Sequence, residues 1–260
     1  MVSQKKNTEN KKVINCLYSH FKNKNKKLKI VCDWDEVIQP HEPYALWLTP
    51  LSEKQKKDNY VSEKIDFSEY FKVFWEKWSE PWINYSPYGS YLAEIEDTEK
   101  LNQQQTIKNS LDFYQKAPFL TIAKELLKLI KEDKVEQVIF LSAYDKRKFP
   151  DGDPRKKQIF NETFGKFPNC ALELIGFDNE EKGRTKADWI KENTADFDLV
   201  IDDNPNICRS VVENIPNITV CSPHYPAAEN QHHDKVLLIK TSVSDLKKND
   251  FNKKTVEKEK

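Results

Sequence analysis

Six apolar runs, each too short for a helix, are the feature that most constrains the fold of this chain. Apolar runs of three or four residues are typical of strands buried on both faces, as in a parallel sheet. From residue 119 onward they alternate with stretches of helical periodicity, which predicts a Rossmann-like parallel α/β sheet with right-handed crossovers and helices on both faces. The predicted strands cover residues 30–32, 138–141, 172–175, 199–201, 218–221 and 236–239, and the predicted helices cover 119–130, 153–165, 186–193 and 207–212.

Charge and composition exclude several classes of protein. The 42 basic residues balance 42 acidic ones, so net charge does not favour nucleic acid or an anionic membrane as a partner. No apolar run reaches the roughly 18 residues of a membrane span. The five cysteines are scattered and include no C-x-x-C pair, which indicates reduced thiols rather than disulfides or a zinc site. We expect a soluble intracellular protein in a reducing compartment, either the cytoplasm or an organelle interior.

The two ends of the chain are rich in lysine. Residues 1–27 contain eight lysines and one acid, and we predict a solvated extension there, with a short helix around residues 13–21. Residues 244–260 are predicted to be a solvated tail. Between these ends, residues 28–40 and 116–243 form the predicted α/β core.

An aromatic-rich segment interrupts the α/β alternation at residues 41–115. Residues 38–115 hold 15 of the 30 aromatic residues of the chain. We predict a helical insertion with its own aromatic core, which begins with a helix from a cap at Ser62 to Pro81 and continues with a second helical region over residues 91–114. Within the aromatic stripe of the first helix stand only Lys72 and Lys77, which is not the interleaving of basic and aromatic residues that a nucleic-acid groove would require. The aromatic stripe of the first helix comprises Phe67, Tyr70, Phe71, Phe74, Trp75, Trp78 and Trp82.

Polar side chains stand where several of these predicted strands end. Because ligands bind beyond the carboxyl ends of parallel strands, these groups are expected to meet at one edge of the sheet. Two pairs of acids placed together repel each other unless a cation relieves them, and carboxylate oxygens suit Mg²⁺. A lysine and a serine beside them indicate an anionic ligand, most simply a phosphoryl group. The residues are Asp33, Asp35, Ser142, Lys186, Asp202 and Asp203.

These residues resemble, in order, the four motifs of the haloacid dehalogenase-like (HAD) hydrolase superfamily. The motifs are Asp33-Trp-Asp35-Glu-Val37, Ser142 after Val-Ile-Phe-Leu, Lys186 in Gly-Arg-Thr-Lys-Ala, and Asp202-Asp203 after Leu-Val-Ile. The resemblance covers residues 28–222, and it identifies the segment at 41–115 as similar to the α-helical cap that many members insert between the first two motifs.

The resemblance implies a Mg²⁺-dependent phosphatase that hydrolyses a small-molecule phosphomonoester. Asp33 would be the nucleophile that forms an aspartyl-phosphate, and Asp35 the general acid and base. Ser142 would bind a phosphoryl oxygen, and Lys186 would offset negative charge. Members that break carbon–halogen bonds lack an acid at the position of Asp35, so its presence favours phosphoryl transfer to water.

The same resemblance implies which residues would hold the metal ion. The Asp33 carboxylate, the main-chain carbonyl of Asp35 and the Asp202 carboxylate would bind Mg²⁺. Asp203 would be a ligand through water or would orient the others. Glu36 departs from the family, which often has glycine there, and glycine accepts backbone angles that glutamate resists. Trp34 is interpreted as a packing residue.

Three other functions stay open on the sequence. One is a HAD-like binding or regulatory module without turnover, and another is a phosphomutase. The third is a phosphatase acting on nucleic-acid ends, which the lysine-rich termini suggest and the charge balance does not favour. A basic run after Ser142, which extends from Lys146 to Lys157, is interpreted as a solvated face and not as part of the site.

Overall fold

A seven-stranded sheet in which all paired strands are parallel forms the centre of the molecule. The computed structural model describes residues 12–48, 66–77, 98–177, 186–193, 196–224 and 232–252. The strand order β1-β7-β6-β5-β2-β3-β4 confirms the predicted Rossmann-like α/β sheet. The strands are β1 (Val13–Ile14), β2 (Leu28–Cys32), β3 (Val135–Asp145), β4 (Cys170–Phe177), β5 (Leu199–Ile201), β6 (Thr219–Pro223) and β7 (Leu237–Ile239).

Helices connect the strands and form the segment between β2 and β3. Two of the helices after β3, which begin at Pro154 and Pro205, start close to the predicted positions, because each has a side-chain cap and a proline in its first turn. Within the described residues, the helices are α1 (Leu17–Phe21), α2 (His41–Leu48), α3 (Phe67–Lys77), α4 (Thr98–Asn109), α5 (Phe113–Lys116), α6 (Thr121–Lys131), α7 (Pro154–Glu162), α8 (Lys186–Asn193) and α9 (Pro205–Asn214).

Both faces of the sheet are covered. Side chains alternate between the faces of a strand, and neighbouring residues of β5 accordingly fall into two separate buried clusters. Leu199 and Ile201 belong to the larger cluster, which includes residues of α1, α6 and α7. Val200 belongs to the smaller one, together with residues of α8 and α9. This arrangement confirms the prediction of helices on both faces.

Described residues within both lysine-rich segments, for which the sequence predicts solvated ends, pack into the fold. Val13 and Ile14 form an edge strand that pairs with β7, and Leu17 and Phe21 of α1 are buried. At the other end, Phe251 is fully buried against the core. The reason is long-range packing, which a count of lysines does not detect.

The described parts of the aromatic-rich segment are helical. Asp66 caps α3, since its side chain accepts hydrogen bonds from the main-chain N–H groups of Ser68 and Glu69. The buried aromatic residues of α2, α3 and α5 lie in the same cluster as the core of the sheet. The predicted cap at Ser62, Trp78, Pro81, Trp82 and the start of the second helix at residue 91 lie outside the described residues.

Two further predictions differ from the structure in detail. Helix α7 ends at Glu162, and Gly165 lies in a separate 3₁₀ turn instead of closing the helix. Strand β3 continues to Asp145, so Ser142 lies within the strand and not at its end.

The five cysteines are free thiols in the structure, and Cys32, Cys208 and Cys221 are buried. Across the part of the chain that the structure describes, none of the helices has the length and apolar character needed to cross a bilayer.

Candidate active site

The carboxyl end of β2 places Asp33 between two neighbouring strands. Cys32, the last residue of β2, is in register with Ile201 of β5 and with Phe140 of β3. The next main-chain N–H, that of Asp33, donates a hydrogen bond of 2.8 Å to the carbonyl of Ile201. Asp33 and Asp202 therefore leave adjacent strands at the same level, and the sheet edge brings the two acids together.

The turn after Asp33 has the backbone geometry that favours glycine, although it contains Glu36. The φ angle of Glu36 is 60°, in the left-handed region that costs most residues about 1 kcal/mol or more. Its N–H donates to the carbonyl of Gln39 over 2.9 Å. Its buried carboxylate accepts a hydrogen bond of 2.7 Å from the N–H of Glu42, in the first turn of α2. The turn is thus anchored to the helix that follows it.

Trp34 packs beneath this turn, which confirms its interpretation as a packing residue. It is fully buried, and its ring makes edge contacts with Phe140, Phe160 and Phe164. The indole N–H donates a hydrogen bond of 3.0 Å to the side chain of Gln39. The ring contacts and the N–H hydrogen bond together fix the position of the indole. The main chain on either side of Trp34, which carries Asp33 and Asp35, is therefore held in one orientation.

Four charged residues form the first group of the site, which we call the Asp33 cluster: Asp33, Asp202, Asp203 and Lys186. The Lys186 ammonium, from the first residue of α8, lies 2.5 Å from Asp33 Oδ2 and 2.8 Å from Asp202 Oδ2. Carboxylate oxygens of the three acids lie within 4.8 Å of one another, and all three residues are buried. The main-chain N–H of Trp34 donates to Asp33 Oδ1 over 2.6 Å.

Burial governs the protonation of the Asp33 cluster. It raises the pKa of Asp33 to about 6, since the stabilising effect of Lys186 is opposed by Asp202 and Asp35. Burial and repulsion from Asp202 raise the pKa of Asp203 well above its usual range. Burial alone would lower the pKa of Lys186, but the carboxylates of Asp202 and Asp33 outweigh it and raise that pKa. When fully ionised, the three carboxylates carry more negative charge than the single ammonium offsets, which contributes to the raised pKa values of Asp33 and Asp203.

A second group, the Asp35 cluster, consists of Asp35, Tyr114, Ser142 and Lys156. The Lys156 ammonium lies 2.5 Å from Asp35 Oδ2 and donates hydrogen bonds of 2.7 Å to the Ser142 hydroxyl and to the carbonyl of Ala143. The Tyr114 hydroxyl donates to Asp35 Oδ1 over 3.0 Å, and Ser142 Oγ lies 3.5 Å from Asp35 Oδ2.

The electrostatics of the Asp35 cluster are opposite to those of Asp33. Burial alone would raise the pKa of Asp35, but the Lys156 ammonium lowers it well below its usual range. Nearby, burial lowers the pKa of His41 to about 3, so its imidazole is neutral at pH 7. The His41 ring stacks on Tyr114 with 5.2 Å between ring centroids. Asp35 is consequently ionised at neutral pH.

The structure brings together all six residues that the sequence predicts for the site, in two connected clusters. It also adds Lys156 and Tyr114, which the sequence analysis missed. The interpretation of the basic run as a solvated face is wrong for Arg155 and Lys156, which are both buried. The available signal was position: helices that follow parallel strands begin at the edge where ligands bind, and Lys156 lies in the first turn of α7.

The Asp33 cluster fits a divalent metal ion. Its three buried acids supply hard oxygen donors, the type that Mg²⁺ prefers. With every group of the two clusters ionised, four carboxylates face two ammonium groups, and two negative charges are left to be offset.

Comparison with known proteins finds similarity only among solved structures. No family model matches the chain, and no curated protein sequence matches it. A haloacid dehalogenase-like family hydrolase from Streptococcus pneumoniae gives a TM-score of 0.45 with 13% identity, over 82% of this chain and 93% of that chain.

Two further structures give similar values. A Bacillus subtilis protein provisionally described as a HAD-hydrolase, bound to magnesium, gives a TM-score of 0.41 with 13% identity over 76% of this chain and 87% of its own. A Bacteroides vulgatus protein provisionally described as a beta-phosphoglucomutase gives 0.38 with 14% identity over 85% and 87%. Likeness at these scores supports no functional conclusion. The chain is thus similar to hydrolases of the haloacid dehalogenase-like superfamily in two respects, the order of its sequence motifs and its likeness to solved structures.

Proposed function

We propose that the protein is a Mg²⁺-dependent phosphatase that hydrolyses a phosphomonoester through an aspartyl-phosphate on Asp33. One observation carries the proposal: groups from four separated parts of the chain meet at one sheet edge. Lys186 contacts both Asp33 and Asp202, and Ser142 lies beside Asp35. Had Asp202 stood on the far side of the sheet from Asp33, this chemistry would have had no site.

Asp33 is the nucleophile in the proposed reaction. One of its carboxylate oxygens bonds to phosphorus while the bond from phosphorus to the leaving oxygen breaks. The main-chain N–H of Trp34 and the Lys186 ammonium hold the two oxygens of Asp33, so the carboxylate is oriented before the substrate arrives. Lys186 also reduces the charge repulsion between this carboxylate and an incoming anion.

Asp35 moves protons in the proposed reaction. In the free protein it is ionised, which is the form needed to take a proton from water in the second step. For the first step a proton is needed on the leaving oxygen. A phosphomonoester monoanion, whose second pKa is about 6, brings such a proton, which Asp35 passes to that oxygen. Tyr114 and Lys156 keep the carboxylate in place for both transfers.

The acids of the Asp33 cluster would hold Mg²⁺, together with the main-chain carbonyl of Asp35. When bound, the ion would neutralise phosphoryl charge and stabilise the transition state as a Lewis acid.

The test is a panel of phosphomonoesters, including a generic aryl phosphate, assayed with Mg²⁺ and with a chelator. We expect turnover that requires Mg²⁺ and that Asp33→Asn abolishes. Asp133→Asn is the matched control, because Asp133 is an exposed aspartate paired with Lys27 and its φ of 57° suits asparagine. A well-folded wild-type protein that turns over no member of the panel would contradict the proposal.

Small molecules are the proposed substrate class. The inserted segment borders the site, since His41 begins α2 and Tyr114 of α5 contacts Asp35. A cap in this position would limit access by macromolecules and exclude water. We expect small phosphomonoesters to give higher kcat/KM values than a 5′-phosphorylated oligonucleotide or a phosphoprotein. A preference for the oligonucleotide, with binding that weakens as salt rises, would favour the nucleic-acid alternative.

A further inference from the structure

Lys156 is a buried lysine that neither the sequence motifs nor the resemblance assigns to the site. Its side chain is 4% exposed. Its ammonium has three donors, and these meet three acceptors: Asp35 Oδ2, Ser142 Oγ and the carbonyl of Ala143. All three donors of Lys156 are therefore used, and these partners differ from the Asp33 and Asp202 carboxylates that Lys186 contacts.

The location of Lys156 is unfavourable for stability alone. Burial of an ammonium group costs free energy even when the group is paired. The first turn of a helix also favours negative side chains over positive ones, and Lys156 is the third residue of α7. A lysine placed against both effects is better explained by what its charge does in the site.

Lys186 and Lys156 contact different clusters of the site. Lys186 forms ion pairs with Asp33 and Asp202, whereas Lys156 contacts Asp35 and the Ser142 hydroxyl. In the proposed reaction Ser142 binds a phosphoryl oxygen. Because Lys156 is 2.7 Å from the same hydroxyl, an oxyanion bound by Ser142 would be within reach of this ammonium.

We propose that Lys156 is a second anion-binding residue of the site, which positions Asp35 in the free protein and contacts the phosphoryl group together with Ser142 when substrate binds. This inference rests on the proposed function. The ligand class is a tetrahedral oxyanion such as phosphate. Lys156 exchanges part of its contact with the Asp35 carboxylate for contact with the anion, and Tyr114 retains Asp35 through its own hydrogen bond.

Calorimetric titration with inorganic phosphate, in the presence of Mg²⁺, tests the binding role without requiring turnover. Lys156→Met should raise the Kd for phosphate about 10- to 100-fold, the effect of losing one hydrogen bond to a charged group. Lys157→Met is the matched control, because Lys157 is the next residue of α7, is exposed, and donates to the carbonyl of Asp151. We expect it to leave the Kd within twofold of wild type. An unchanged Kd for Lys156→Met would overturn the proposal.

A double variant guards against misfolding, since Lys156→Met leaves Asp35 without its charged partner. Asp35→Asn should bind phosphate at least as tightly as wild type, because one repelling charge is gone and Lys156 is released. Asp35→Asn combined with Lys156→Met should lose that affinity about 10-fold or more. Equal phosphate affinity in the single Asp35→Asn variant and the double variant would show that Lys156 does not bind the anion.

Steady-state kinetics separate this proposal from the proposed function. Lys156→Met should raise KM as well as lower kcat, whereas a purely structural role would reduce only the amount of folded enzyme. Wild-type turnover with unchanged KM and kcat in Lys156→Met would overturn the role of Lys156 and leave the phosphatase intact. Phosphate binding that depends on Lys156, in a protein that hydrolyses no phosphomonoester, would support the role of Lys156 and overturn the phosphatase proposal.

Discussion

The Asp33 cluster and the Asp35 cluster both contain an aspartate bound to a buried lysine, yet the pKa values of the two aspartates are shifted in opposite directions. Each cluster pairs an aspartate with a lysine at 2.5 Å. The pKa of Asp33 is raised to about 6, because burial and neighbouring acids outweigh Lys186. The pKa of Asp35 is lowered, because the Lys156 ammonium outweighs the effect of burial. Two acids two residues apart can therefore perform different tasks.

The largest expected effect tests the role assigned to the Asp33 cluster. Asp33→Asn should lower kcat about 10⁴-fold or more, because the bond to phosphorus can no longer form. The measurement is single-turnover hydrolysis of an aryl phosphate. If the variant still binds phosphate and keeps more than about one percent of wild-type activity, the nucleophile must be a residue other than Asp33.

Asp35→Asn should have a smaller effect that depends on the leaving group. We expect a loss of about 10²- to 10⁴-fold for an alkyl phosphate, since its leaving oxygen needs a proton. A nitroaryl phosphate, which leaves without protonation, should lose less in the first step. The measurement is the release of alcohol or phenol in the first turnover. Equal losses for both substrates would show that Asp35 does not protonate the leaving oxygen, and would contradict the different roles proposed for the two acids.

Stability in the absence of metal should respond oppositely to neutralising the two acids. The pKa of Asp33 rises on folding from 3.8 to about 6, so the folded protein binds more protons between these values. Its contribution to the unfolding free energy therefore decreases as pH rises from about 4 to 6. For Asp35 the pKa falls on folding, so its contribution is present at neutral pH and is lost as the solution becomes more acidic than its ordinary value.

Urea unfolding in a chelator measures both effects. At pH 7.5 we expect Asp33→Asn to raise the unfolding free energy by about 1–3 kcal/mol and Asp35→Asn to lower it by about 3 kcal/mol, because Lys156 loses its buried partner. The advantage of Asp33→Asn should vanish near pH 4, and added Mg²⁺ should stabilise the wild type more at pH 7.5 than at pH 5. The same sign of change for both variants at pH 7.5 would refute the contrast between the clusters.

The smallest expected effect concerns the turn that separates the two acids. Glu36→Gly relieves a left-handed backbone conformation by about 1 kcal/mol, but it removes the hydrogen bond from the N–H of Glu42, whose net value is about 1 kcal/mol. The unfolding free energy should therefore change by less than about 1 kcal/mol. Glu36→Val, which is β-branched, should be clearly less stable in the same urea titration. A loss above about 3 kcal/mol in Glu36→Gly would mean that the carboxylate itself holds the turn.

Much of the fold and most of the site could be predicted because their signals are local. The apolar run before Asp33 and the run before Asp202 identify strands, and parallel strands end at one edge. Asp153 and Pro154 mark the start of α7 within a few residues. These inferences need only the neighbouring residues in the chain and a general rule about sheets.

Other features depend on contacts between distant residues. Val13 pairs with Leu238 at the far edge of the sheet, so the lysine-rich N-terminal segment belongs partly to the core. Phe251 packs against Phe119 and Phe164, which buries a segment that by composition resembles a tail. Lysine content measures how polar a segment is on average, whereas a few apolar residues decide whether it packs.

The sequence by itself determined the parallel α/β fold, the acids at the strand ends and the order of the motifs, because strand periodicity and spacing are properties of neighbouring residues. Only the tertiary structure decided that Lys156 belongs to the site while Lys157 beside it is exposed. Lys156 contacts Asp35, which lies 121 residues earlier in the chain. Its burial and its partner depend on how α7 packs at the sheet edge. A run of basic residues has the same sequence pattern whether its side chains face water or a carboxylate.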